Sequence, residues 1–92
     1  MAEIHTLRID FEGTLQPGPE PWMWALVEVV LEDQGLVKPS LSARVAVAFA
    51  GDKGVFEMRE LAWQGFRAVL AETLVAGEGK TAEQLSFTGG GA

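Results

Sequence analysis

The sequence predicts an α+β domain: a small two-layer sandwich of ferredoxin-like βαββαβ order, with an antiparallel four-stranded sheet and two helices on one face. Three observations lead there. Two segments alternate apolar and polar residues, two longer apolar segments are bounded by helix start and stop signals, and proline- or glycine-rich stretches separate them. In about ninety residues that order is the split βαβ arrangement.

The first element lies within Glu3 to Leu15. Leu7, Ile9 and Phe11 share one face, and Thr6, Arg8, Asp10 and Glu12 share the other. A period of two with one apolar face is a half-buried strand, and Gly13 marks its end or a bulge. Gln16 to Pro21 holds three prolines and a glycine and reads as a loop. Trp22 to Gln34 is expected to be a helix. Pro21 suits a first turn, Glu20 sits near the positive end of the dipole, and Gly35 is a natural stop.

Val45, Val47 and Phe49 alternate with Arg44, Ala46 and Ala48, which predicts a second strand over Ala43 to Ala50. Gly51-Asp52-Lys53-Gly54 has the composition of a hairpin turn. Val55 to Arg59 is expected to be a third strand, the rival being a single long helix from Val55 onward. Glu60 to Ala76 reads as a helix closed by Gly77, with Ala62, Gly65 and Val69 forming a small-residue side that permits close approach to a sheet. Leu85 and Phe87 share a parity and suggest a short final strand. The expected domain is 1–88, with 89–92 a disordered glycine-rich tail.

Composition narrows the function classes. Ninety-two residues suit one domain with a modest core. The chain has no Cys, so it has neither a disulfide framework nor a thiolate site, and a reducing cytoplasm is the expected home. The opening residues do not have the pattern of a secretory signal, and Trp22 to Leu31 is too short to span a bilayer. Thirteen acidic against seven basic side chains give a net charge of −6, which opposes binding to nucleic acid or to an anionic membrane. Cys, Asn and Tyr are absent and His occurs once. Most acid–base and nucleophilic arrangements draw on that set, so no catalytic residue, metal ligand or cofactor is assigned.

Several local patterns imitate known sites. Gly77-Glu78-Gly79-Lys80-Thr81 ends like a phosphate-binding loop, but Leu74 stands where that loop needs glycine, and the segment follows a helix rather than opening one. Lys53-Gly54-Val55-Phe56-Glu57 resembles the third-strand motif of RNA-recognition domains. Val55 and Glu57, however, occupy the positions where that motif stacks bases on rings. Asp10, Gly13 and Leu15 have the spacing seen where the first strand of amino-acid-binding regulatory domains meets its helix, although the proline-rich insert before Trp22 departs from the pattern. His5 shares a face with Glu3, and Glu28 and Glu32 stand one helical turn apart. The ordinary reading of both pairs is solvated surface.

The dominant signal is excess apolar surface. A surface helix carries an apolar arc of roughly 100° or a little more. The two expected helices exceed that, with Trp24, Val27 and Leu31 on one flank and Trp63, Arg67, Leu70 and Leu74 on the other. Large exposed apolar patches mark interaction sites, and Trp and Arg are enriched at hot spots. These seven residues are therefore the interface candidates of a non-catalytic interaction module or self-associating subunit, whose partner is itself or another protein. Two alternatives come from different classes. One is an acidic inhibitor occupying a partner's nucleic-acid site. The other is a ligand sensor or small enzyme using Arg8, Asp10, Arg44 and His5.

Overall fold

The computed structural model describes residues 3–32, 38–49 and 54–85. Its order is β-β-β-α: β1 (Ile4–Phe11), β2 (Trp22–Leu31), β3 (Ser40–Ala48) and α1 (Val55–Gly77), followed by a short 3-10 turn at Ala82–Gln84. The three strands form one antiparallel sheet in the order β1-β2-β3. This overturns the ferredoxin-like βαββαβ expectation: among the described residues one helix, not two, packs on the sheet, and the strands number three rather than four.

The first correction is Trp22–Leu31, a central strand rather than a helix. Trp22, Trp24, Val27, Val29 and Val30 are β-branched or aromatic types that fit a pleated surface. Apolar side chains on both faces hide the alternation, and a continuous apolar run of this length does not separate strand from helix by periodicity alone. Wound at 100° per residue, the segment would leave large side chains all round its circumference. As a strand it divides them between two faces. Ala25, Val27 and Val29 are buried against α1, while Trp22, Trp24 and Leu26 stand on the opposite face.

The second correction is Val55 to Arg59, which is the start of one long helix. Met58, Ala62 and Phe66 are its buried residues, one every fourth position, and that stripe overrides the local alternation of Phe56 and Met58. Phe56, on the other side, is 84% exposed. Of the short final strand suggested by Leu85 and Phe87, only Leu85 is described, directly after the 3-10 turn Ala82–Gln84, and the rest lies outside the described residues. The turn expected at 51–54 and the tail at 89–92 lie largely or wholly outside the described residues.

The core is small. Ala25, Val27, Val29, Val45, Val47, Met58, Ala62 and Phe66 are buried. The three tryptophans are only half-buried. α1 runs back along β3: its first turns meet Phe11, Met23 and Phe49, its middle stands over Val45, and Phe66, Val69 and Leu70 reach Leu41 and Ala43. A Cβ added at Gly65 would lie 3.4 Å from the Val45 Cβ, so the helix packs closely against β3 at Gly65. The helix covers β3 far more than β1. The inner face of β1 is consequently left open: Ile4 is 49% and Leu7 37% exposed, and Ile9 and Phe11 are half-buried.

Candidate interaction surfaces

The outer sheet face is organised by β2. Trp22 and Trp24 are two residues apart on the same side, with ring centroids 5.0 Å apart in an edge-to-face arrangement, a favoured aromatic geometry. The guanidinium of Arg44, on β3, lies 4.4 Å from the Trp24 ring centroid. It continues across the central strand to Glu12, donating from Nε and Nη2 at 3.1 and 2.9 Å. A planar fork is suited to this combination of ring contact and bidentate carboxylate pairing. Arg8 Nε and Asp10 Oδ2 form a further pair at 2.8 Å on β1. Two of the three acids on this face, Asp10 and Glu12, therefore have an arginine partner, and Glu28 stands beside Arg8 in the cross-strand register.

At the far end of the sheet, Glu32 accepts from His5 Nδ1 at 2.6 Å and from Lys38 Nζ at 3.0 Å. The cluster ties the start of β1 and the approach to β3 to the end of β2. The Lys38 hydrogen bond is the main cause holding the Glu32 carboxyl below its ordinary range, with a smaller contribution from His5 against an opposing desolvation effect. The histidine thus pairs with Glu32, not with Glu3. Glu28 points from the outer face of β2 and takes no part in this cluster, so the expected Glu28–Glu32 proximity disappears along with the helix.

Between helix and sheet lie two apolar grooves. One, about 160 Å³, is lined by Leu41, Ala43, Phe66, Val69 and Leu70 together with Ser42 and Thr73. The other, about 240 Å³, is lined by Phe11, Met23, Phe49, Val55 and Met58. Neither contains a titratable side chain, and both are below the roughly 300–1,000 Å³ of small-molecule sites. Among the described residues, no three acidic or histidine side chains gather as metal ligands, and no helix is long and apolar enough to cross a membrane. The chain matches no protein-family model, no curated protein and no solved structure.

The Gly77–Thr81 segment is a helix stop. Lys80 donates its N–H to the Gly77 carbonyl at 3.1 Å, and Gly79 takes φ of 75°, the left-handed conformation that glycine adopts without strain. Thr81 then caps the 3-10 turn, donating its N–H to Gln84 Oε1 at 2.9 Å. The similarity to a phosphate loop is accounted for by this turn chemistry.

The seven interface candidates do not form one surface. Trp24 stands on the outer sheet face, Val27 is fully buried in the core, and Leu31 packs at the core margin. Trp63 stacks on Phe66 at 5.7 Å on the helix flank. Leu70 lines the 160 Å³ groove, while Arg67 and Leu74 are exposed, Leu74 by 67%. Among the ligand-sensor candidates, Arg8 pairs with Asp10, Arg44 with Glu12 and His5 with Glu32, so the structure does not bring them into one cluster. Sequence reasoning missed the β1 edge. The alternation of Leu7, Ile9 and Phe11 with Arg8 and Asp10 announced a strand, but nothing in it reveals that this strand has a neighbour on one side only.

Proposed function

We propose that this protein is a non-catalytic interaction module that associates with itself. The observation that carries the reading is the placement of its single helix. With α1 over β3, the sheet keeps two free edges among the described residues, and the apolar inner face of β1 is left half-open. Long unpaired edges beside apolar faces are templates for another strand. Trp22 and Trp24, both half-buried, add an aromatic outer face of the type enriched at protein interfaces. A nucleic-acid decoy is less well supported, because Asp10 and Glu12 are neutralised by Arg8 and Arg44. The absence of cysteine suits a reducing compartment, and we place the protein's action in the cytoplasm.

The test is absolute mass in solution, by light scattering on a size-exclusion column across a dilution series. The expected result is a dimer or larger assembly that dissociates on dilution. A monomeric mass at every concentration would overturn self-association.

A further inference from the structure

Resting on that self-association reading, we propose that the partner is a second copy of this chain docked through β1, the two strands pairing antiparallel about a two-fold axis at Ile9.

The backbone selects the groups that face outward. Glu12 donates its N–H to the Trp24 carbonyl at 2.9 Å. Hydrogen-bonded and non-bonded pairs alternate in an antiparallel ladder, so Thr6, Arg8, Asp10 and Glu12 turn their backbone groups toward β2. Leu7, Ile9 and Phe11 turn theirs outward, where no described strand receives them. Their side chains lie on the helix face of the sheet, and those of Arg8 and Asp10 on the other.

The opposite edge is a poorer candidate. Two copies joined through β3 would bring paired strands to about 4.8 Å, while each strand carries a helix about 10 Å across. Two helices standing over β3 and its copy would collide. Joined through β1, the copies place their helices toward the far edges of a continuous six-stranded sheet, both on the same face.

Charge then selects the register. Outward groups meet only if odd-numbered residues of one β1 oppose odd-numbered residues of the other. Centred on Ile9, the pairing sets Arg8 opposite Asp10 of the second copy, and Asp10 opposite its Arg8. It also puts Leu7 beside Phe11 of the second copy and Ile9 beside its own equivalent. Centring on Arg8 or on Asp10 sets like charges face to face, and centring on Phe11 sets Asp10 against Glu12. Centring on Leu7 leaves Arg8 opposite Thr6 and Asp10 opposite Ile4. Opposite-charge cross-strand pairs stabilise a sheet and like pairs destabilise it, so only the Ile9 register uses both charges. Arg8 and Asp10 are already ordered toward each other within β1, at 2.8 Å, and both remain largely exposed.

A charge-swap cycle tests this. Arg8→Asp and Asp10→Arg each replace two attractive cross-strand pairs by repulsive ones, weakening the homodimer on the order of tenfold to a hundredfold. An equimolar mixture of the two variants restores complementarity and forms a heterodimer, and the double swap in one chain restores the homodimer. Circular dichroism confirms that each variant is folded. Amide exchange supplies a second readout: Leu7, Ile9 and Phe11 amides are protected in the wild-type assembly and exposed in the single swaps. An assembly indifferent to the swaps, with those amides exchanging freely, would overturn docking through β1 while leaving self-association in place. A wild-type protein that is monomeric throughout would overturn both.

Discussion

Arg44 shows how one side chain can organise a sheet face. Its guanidinium covers the Trp24 ring and ends on both oxygens of Glu12, linking β3 to β1 across the central strand. Lysine would keep the charge but lose the planar fork. Because the pair is about half exposed, solvent screening limits its worth, and Arg44→Lys is expected to cost about 0.5–1 kcal/mol, read as a lower urea midpoint. Glu32 makes a prediction of a different kind. Its folded pKa is depressed, chiefly by Lys38 and also by His5. A depressed carboxylate contributes stability that is present above its unfolded pKa and lost as pH falls through the folded one. Stability should therefore fall on acidification below the ordinary glutamate range of roughly pH 4–5, and Glu32→Gln should flatten that part of the profile in melts taken across the acid range. An unchanged acid limb would remove the cluster from the account.

Elements differ in how openly their residues announce them. β1 and β3 were legible because their polar and apolar residues alternate. The helix after Glu60 was legible from its apolar stripe and Gly77. β2 was not, since a central strand apolar on both faces carries no alternation, and Pro21 and Gly35 bracket it as they would bracket a helix. Its excess apolar circumference was a symptom of applying the wrong period. Val55 to Arg59 misled for the opposite reason: five alternating residues outweighed Met58, whose meaning becomes clear only with Ala62 and Phe66 on the same stripe. The helix also yields a prediction at Gly65. A methyl there meets Val45 at ordinary contact distance, 3.4 Å at the nearest, and alanine is favoured over glycine inside a helix by about 1 kcal/mol. Gly65→Ala should thus leave stability unchanged or raise it by up to about 1 kcal/mol, whereas Gly65→Leu should overpack the helix–sheet contact and cost about 1–3 kcal/mol. Denaturant midpoints of the two variants decide the matter, and a strongly destabilising alanine would mean the helix stands closer to β3 than described.

At the scale of the molecule, a core whose buried aromatic among the described residues is Phe66 is set between two sheet edges and a half-covered face. A chain of this size has little stability in reserve. If assembly stabilises it by mass action, the melting temperature should rise with protein concentration, in step with the mass measurement. A concentration-independent melt beside a monomeric mass would count against self-association twice over. Leu74 and Val75, exposed toward the end of α1, belong to the same question, because the helix continues there beyond its buried stripe.

By itself the sequence determined two outer strands, most of one helix, the helix stop at Gly77 and the lack of the usual nucleophilic and thiolate tools. These are local properties, written in alternation, in helical stripes and in residue inventory. Tertiary structure alone decided that Trp22–Leu31 is a central strand, that α1 stands over β3, and that Arg44 reaches Glu12 across Trp24. Each depends on which element lies beside which, and an apolar run carries the same hydrophobicity whether a helix or two strands cover it. The candidate surface followed the same rule: Trp24 and Trp63, read as flanks of two helices, lie on opposite sides of one sheet, and the open edge of β1 became visible only when the helix was placed.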